Sequence, residues 1–374
     1  MKEYSLLLKP ASADCNLKCS YCFYLPKSAL YPGEAVHRMK DAVLSRIVSS
    51  YMATDQPVYS FGWQGGEPTL MGLDFFVRVT ELQVKHGKAG AEVANGLQTN
   101  GVLLTREFAR HLAKFNFLTG ISLDGPEELH DHFRNKAGGA GSHAEVIRAT
   151  GIMRDAGADF NILTLVSSAN VRAGKRVYEY LRDSGFLFHQ YIPCVEAGPD
   201  GALLPLAISA EEWGDFLCSV FDAWIKDDTR RVSIRLFDSI MNLLVFGRRV
   251  QCTMMEDCRQ YFLVEHNGDV YPCDFFVEPG LKLGNAMADS WDQMAESEVF
   301  RRFGRRKAER SAECAGCAYL DLCQGDCPKH RPGEAGGLSR LCAGWKMFYR
   351  HSLERFTELA ASYRAETEKG GGGQ

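Results

Sequence analysis

The sequence predicts an α/β fold, a partial (β/α)6 TIM-like barrel followed by a cysteine-rich C-terminal domain. Three observations carry this reading. Strand-like apolar runs and amphipathic helical stretches alternate through the first two-thirds of the 374 residues. Four polar motifs, Cys15–Cys22, Gln64–Pro68, Gln98–Gly101 and Ser122–Pro126, each fall just past an expected strand. In a barrel those strand ends share one mouth. Eight of the thirteen cysteines lie between 252 and 342, beyond the alternating region. A doubly wound sheet satisfies the alternation alone; the four strand-end motifs favour the barrel.

Tyr4–Pro10 reads as a buried strand that delivers its C-terminal end to the first cysteines. Val43, Leu44, Ile47, Val48, Tyr51 and Met52 recur at helical spacing. Val58–Trp63 is the second strand and Leu73–Lys85 the second helix. Val93–Thr99 and Leu118–Leu123 are strands flanking a helix with Thr105 as N-cap. A polar, Gly-rich connection containing Lys136–Gly141 leads to a helix near 143–156. The strand Phe160–Val166, a helix near 172–183 and the strand Phe186–Ile192 complete about six units. Ser209 and Glu212 form a capping box for a helix through Lys226. The domain boundary is expected near 230, dividing the chain into 1–230, 231–363 and a flexible tail, 364–374, that includes Gly370–Gly373. Tyr261–Tyr271 reads as a hairpin turning at Asn267-Gly268, and a last helix spans Trp345–Tyr363.

Composition narrows the function classes. With 45% hydrophobic and 24% charged residues this is an ordinary globular chain. A formal charge of −4 gives no reason to expect nucleic acid or an anionic membrane as partner. Leu6–Leu8 is too short for a signal-peptide core and no stretch is long enough to span a bilayer, so the expected location is the cytoplasm. Disulfides do not persist there, so clustered cysteines point to metal.

Cys15, Cys19 and Cys22 form a C-x3-C-x2-C run. Three thiolates in eight residues grip one face of a metal site, whereas structural zinc and electron-transfer cubanes usually take four. One coordination position is thus left for another ligand. Gly65-Gly66-Glu67-Pro68 places glycines where backbone can approach a ligand and a carboxylate that suits an ammonium. Cys252, Cys258, Cys273, Cys314, Cys317, Cys323, Cys327 and Cys342 supply eight thiolates, enough for two four-iron clusters or for two structural zincs. Cys194 ends the sixth strand near the mouth, where a pocket-lining role is open to it. Cys218 lies among Trp213, Phe216, Leu217 and Phe221 and reads as a core residue. The basic run Arg301–Lys307 reads as a solvated face, with an acidic partner as the alternative. Gln64, Gln98 and Tyr24 are expected to line the pocket.

The first cysteine run, with the Gly-Gly-Glu turn, resembles the signature of the radical S-adenosylmethionine (SAM) enzymes. The resemblance implies that Cys15, Cys19 and Cys22 hold a [4Fe–4S] cluster whose fourth iron SAM chelates. It further implies that Gly65, Gly66 and Glu67 bind SAM's amino group and that Tyr21 lies near the adenine. Ser122 and Arg134 match positions contacting the ribose and carboxylate. Val195 matches one that contacts the adenosine, occupied by another aliphatic residue in relatives. The C-terminal cysteines resemble the SPASM domain, which carries two auxiliary [4Fe–4S] clusters. That pattern assigns Cys252, Cys258, Cys273 and Cys327 to one and Cys314, Cys317, Cys323 and Cys342 to the other.

Within SPASM enzymes the chain is similar, from about residue 5 to 350, to the anaerobic sulfatase-maturating enzymes. The matching stretches are Leu8–Ser12, Cys19–Tyr24, Trp63–Thr69, Leu97–Gly101, Ser122–Pro126 and Val270–Phe275. The last includes Asp274, the position of that family's catalytic base. What the resemblance implies is oxidation of one Ser or Cys of a sulfatase to Cα-formylglycine. A 5′-deoxyadenosyl radical removes a Cβ hydrogen, Asp274 takes the hydroxyl or thiol proton, and one electron leaves. It also implies as partners an unfolded or nascent sulfatase with a Cys/Ser-x-Pro/Ala-x-Arg segment and an electron donor such as flavodoxin or ferredoxin. The rival is a SPASM enzyme forming thioethers or cross-links in a ribosomally made peptide. Such enzymes often carry an N-terminal recognition domain, for which Cys15 comes too early. A zinc-bearing binding protein is the non-catalytic alternative.

Overall fold

The computed structural model describes residues 3–333 and 336–370, the side chains of 368–370 excepted. Along the chain come β1 (Ser5–Lys9), α1 (Asp41–Met52), β2 (Val58–Trp63), α2 (Gly72–His86), β3 (Glu92–Thr99), α3 (Arg106–Lys114) and β4 (Leu118–Ser122). The short α4 (Glu127–His130), α5 (His143–Asp155), β5 (Phe160–Val166), α6 (Gly174–Asp183), β6 (Phe188–Pro193) and α7 (Ala210–Asp227) follow. Then come β7 (Ser233–Ile234), α8 (Arg235–Phe246), β8 (Tyr261–Glu265), β9 (Asp269–Tyr271) and β10 (Gly284–Asn285). Last are α9 (Trp291–Ala295), α10 (Glu298–Arg306), α11 (Ala312–Ala315), α12 (Leu320–Cys323) and α13 (Cys342–Gly370). The alternating α/β pattern forms as expected, down to its caps. Thr105 Oγ1 accepts from Phe108 N at 3.2 Å, and Ser209 and Glu212 close a reciprocal box at the start of α7. Helix α8 has no counterpart in the sequence expectation, and α13 continues past Tyr363. Positions 371–374 of the expected tail lie outside the described residues.

The chain forms two compact units. The first comprises the residues up to Leu123, His130–Ile162 and Arg259–Gly304. Its strands run in the order β10-β9-β8-β1-β2-β3-β4. β1 to β4 are parallel, and β8 lies parallel against the free side of β1, pairing Lys9 with Glu265. β9 and β10 continue antiparallel. The helices between strands bury their apolar stripe; in α1 it is Leu44, Ile47, Val48, Tyr51 and Met52, at i, i+3, i+4, i+7 and i+8. Because β1 to β4 point the same way, the loops that leave them emerge at one end.

The second unit comprises Asp124–Leu129, Leu163–Cys258 and the residues from Arg305 onward. Its core is aromatic: Trp213, Phe216, Phe221 and Trp224 of α7 and Phe237 of α8 are buried with Phe348 and Phe356 of α13. Helices α7 and α13 meet through glycine, since a Cβ on Gly344 would lie 2.0 Å from Ala210 O. Among the described residues no helix is long and apolar enough to cross a membrane.

One buried residue of this unit makes stability pH-dependent. His189 bonds through Nε2 to Phe186 O at 2.8 Å and through Nδ1 to the Tyr191 hydroxyl at 3.1 Å. Burial drops its pKa to about 4. An unfolded histidine titrates near 6.5, so between these values the unfolded chain binds more protons and stability falls as pH drops. We expect a loss of about 2 kcal/mol between pH 7 and 5 from this group. Denaturant unfolding of the chain and of His189→Gln at both pH values checks it; an equal loss in the two proteins rules it out.

Candidate active site

The site grows from the end of β1. The chain turns back on itself there, with Ser12 N donating to Lys9 O and Asp14 N to Ala11 O, both at 3.0 Å. Ser12 takes a φ of +47°, a conformation residues with a Cβ seldom adopt. The turn after β2 is laid directly onto this one. Gly66 N donates to Ser12 O at 2.7 Å and Glu67 N to Asp14 O at 2.8 Å. A Cβ on Gly66 would stand 2.0 Å from Asp14 O, and one on Gly65, whose φ is +140°, 2.7 Å from Ser12 O. The glycines thus let two protein loops touch.

Glu67 is fully buried. Its Oε1 accepts from Thr69 N at 3.0 Å, Thr69 Oγ1 at 2.6 Å and Thr99 Oγ1 at 2.7 Å; Oε2 accepts from Asn100 N at 2.7 Å. Burial raises its pKa, and these donors work against that rise. Four protein donors occupy the carboxylate, so the side chain joins the β2 loop to the end of β3.

The three cysteines stand beside this junction. Cys15 Sγ accepts from Leu17 N at 3.4 Å and Asn100 Nδ2 at 3.7 Å. Burial pushes its thiol up to about 12, with Glu67, Cys19 and Cys22 adding to the rise. A bound cation would offset that mutual repulsion by stabilising the thiolates. Residues 17–20 are backed by 133–136, with Lys18 N donating to Asn135 O at 2.7 Å and Ser20 N to Phe133 O at 3.3 Å. That pairing brings Arg134 over the Tyr21 ring, 5.3 Å from its centroid. Gln98 Nε2 donates to Ser122 Oγ at 3.2 Å.

Asp274, nearly buried, sits in a ring of donors from the same unit. Lys9 Nζ lies 3.6 Å from Oδ2 and Gln64 Nε2 donates to Oδ2 at 3.2 Å. The Tyr261 hydroxyl is within hydrogen-bond reach of both Oδ1, at 3.0 Å, and Cys273 Sγ, at 3.1 Å. Cys273 Sγ is 3.6 Å from Oδ1. Lys9 is itself buried, its ammonium 4.2 Å over the Tyr24 ring, and Tyr24 donates to the fully buried Glu265. Burial pulls the Lys9 pKa down, while Asp274 and Glu265 pull it up. Of these neighbours, Gln64 and Tyr24 were expected at the pocket. Lys9, Tyr261 and Glu265 were not, although a lysine closing an apolar strand and a glutamate inside a buried one are visible signals.

In the second unit Cys314, Cys317, Cys323 and Cys342 line one open pocket. Among the described residues no three His, Cys, Asp or Glu side chains converge on a single ion. Cys252, Cys258 and Cys327 also belong to this unit, and Cys273 to the first. Burial pushes the Cys258 thiol up to about 11, with Cys252 adding to the rise, and lifts Cys327 well above the thiol range. Val195 and Cys194 are buried in the second unit, Val195 in its apolar core. Cys218 packs against that core, as expected.

The radical SAM superfamily model matches residues 10–181, and the SPASM model, an iron-sulfur cluster-binding domain, matches 252–318. The serine-type anaerobic sulfatase-maturating enzyme of Bacteroides thetaiotaomicron is 34% identical over 372 residues, covering 94% of this chain and 89% of its own. The cysteine-type anaerobic sulfatase-maturating enzyme of Clostridium perfringens is 34% identical over 366 residues, covering 96% and 99%. The solved structure of native anSMEcpe with bound AdoMet and Cp18Cys peptide, 34% identical, superposes with a TM-score of 0.90 over 97% of this chain and 100% of that one.

Proposed function

The chain belongs to the anaerobic sulfatase-maturating enzymes of the radical SAM superfamily, and from that membership we propose that Asp274 is the base that takes the substrate proton as a sulfatase Ser or Cys becomes Cα-formylglycine. The observation that carries the assignment is the donor ring around Asp274, a few ångströms from Cys273.

When bound, SAM and three [4Fe–4S] clusters supply the radical and the one-electron carriers. We assign the first cluster to Cys15, Cys19 and Cys22. The auxiliary clusters go to Cys252, Cys258, Cys273 and Cys327 and to Cys314, Cys317, Cys323 and Cys342. SAM itself is assigned to Tyr21, Gly65, Gly66, Ser122, Arg134 and Val195. With the Glu67 carboxylate filled by four donors, its part is to fix the loop that carries Gly65 and Gly66.

The protein's own contribution is charge and proton placement. Gln64 donates to Oδ2 and the Lys9 ammonium stands 3.6 Å from the same oxygen, so that side of the carboxylate is fixed by protein. Oδ1 is the atom left for the substrate. The Tyr261 hydroxyl has one proton and two acceptors in reach, Oδ1 at 3.0 Å and Cys273 Sγ at 3.1 Å. A carboxylate oxygen has two lone pairs, so Oδ1 keeps one for the substrate hydroxyl or thiol whichever acceptor Tyr261 serves. The electron donor we assign is a flavodoxin- or ferredoxin-type protein.

The test is anaerobic incubation of reconstituted enzyme with SAM, dithionite and peptides carrying Ser or Cys in the pattern x-Pro/Ala-x-Arg. Mass spectrometry follows the target residue while 5′-deoxyadenosine is quantified. Formylglycine from either peptide is the expected outcome. 5′-Deoxyadenosine with both peptides unaltered would move the assignment to another peptide chemistry.

A further inference from the structure

The basic run Arg301–Lys307 is the one sequence motif that the reaction leaves unused, and its members do not share an environment. Arg301 lies at the surface on Glu296 and Glu298, at 3.2 and 3.3 Å. Lys307 is 0% exposed. A buried ammonium is costly unless something nearby wants its charge. Its Nζ donates to Thr253 O at 3.0 Å and to Asp326 O at 2.7 Å. Thr253 directly follows Cys252, and Asp326 directly precedes Cys327. One side chain therefore joins two loops remote in sequence, each carrying a thiol assigned to the same cluster.

Both acceptors are neutral carbonyls, which leaves the positive charge for its surroundings. Burial works against that charge and lowers the Lys307 pKa, while Cys258, Asp326 and Cys327 favour the charged form, and the Asp326 carboxylate is occupied through Oδ2 by His330 Nδ1 at 2.8 Å and Ser339 Oγ at 2.7 Å. The arrangement is braced by Arg331, whose guanidinium donates to Gly325 O at 2.8 Å, Lys307 O at 3.0 Å and Asp326 O at 3.2 Å.

We propose that Lys307 is a positioning residue for the auxiliary cluster assigned to Cys252, Cys258, Cys273 and Cys327, clasping the loops of Cys252 and Cys327 and setting that cluster's reduction potential with its charge. The proposal rests on the ligand assignment made above. Reduction adds a negative charge to a cluster already bound by four thiolates, and a buried cation favours the reduced form. Removing that cation therefore lowers the potential.

The experiment uses the full chain, as Lys307→Met and Lys307→Arg beside the unaltered protein, reconstituted without oxygen. Iron and sulfide are counted, and the reduced clusters are followed by electron paramagnetic resonance through a potentiometric titration. The cluster whose signal responds to SAM is the internal reference. In Lys307→Met one midpoint moves to more negative potential while the reference stays, and Lys307→Arg returns it toward the original. Full iron with every midpoint unchanged in Lys307→Met overturns the proposal. Should Lys307→Met lose one cluster's iron, Lys307→Arg decides. Retained iron with a near-original midpoint supports a need for charge, and loss in both variants overturns it. If the unaltered protein holds fewer than three clusters, the ligand assignment itself has failed, a result read before any variant is compared.

Discussion

Asp274→Asn is expected to make 5′-deoxyadenosine and almost no formylglycine. The amide keeps the shape of the carboxylate but cannot accept a proton at neutral pH, and it offers one oxygen where two are in use. Lys9, Gln64 and Tyr261 all point donors at this side chain, so the amide nitrogen must face at least one of them. Loss of a positioned general base typically costs about 10²–10⁴-fold in rate, and product formation should fall by that amount. SAM cleavage depends on the loop of Cys15, Cys19 and Cys22, which the substitution does not touch. The two readouts should therefore separate. Measuring both products in one anaerobic reaction decides the matter, because formylglycine at an undiminished rate would remove Asp274 from the chemistry.

Gly66→Ala is expected to abolish both products. The added methyl would meet the Asp14 carbonyl oxygen at 2.0 Å and its carbon at 2.5 Å, and backbone on both sides leaves no flexible side chain to move aside. Overpacking of this kind costs about 3 kcal/mol or more. The strain falls on the turn that leads into Cys15 and on the hydrogen bonds from Gly66 N to Ser12 O and Glu67 N to Asp14 O. The expected signature is loss of one cluster's iron together with SAM cleavage, while the second unit stays folded. Gly138→Ala is the control, since a Cβ there has nothing within 4 Å. A Gly66→Ala protein with full iron and normal SAM cleavage would show that the loop junction yields easily.

The parallel strands and most helices were legible because burial follows simple periods. Val58–Trp63 alternates, and α1 repeats at helical spacing with five buried positions. The cysteine clusters stood out by residue type and spacing, whereas the part given to Asp274 came from the family resemblance alone. What the sequence hid is pairing across long separations. Nothing in Tyr261–Glu265 says that this strand lies parallel to β1, since a hairpin signal specifies only the local partner. The environments of Lys9 and Glu265 follow from that pairing and were hidden with it. Lys307 was misread for a different reason. A run of like charges usually faces water, and only the fold shows that its last member turns inward to two carbonyls. Helix α8 escaped because apolar residues such as Leu236, Met241, Leu243 and Leu244 surround its buried face, which blurs the helical period.

The placement of β8 against β1 also sets an order of events at the ribosome. Tyr24 and its partner Glu265 are 241 residues apart. At about 5–20 residues per second that separation takes roughly 12–48 s to synthesise. Until residues 261–265 are made, the edge of β1 that takes β8 stays open even after β2 has paired with the other. The cysteine loop at the end of β1 is therefore available for metal loading, and for oxidation, before the strand that seals the edge and delivers Asp274 exists. Nascent chains stalled before residue 261 should accordingly hold the first three cysteines in a more solvent-reactive state than the finished protein, so that the enzyme's demand for an anaerobic environment begins during its own translation.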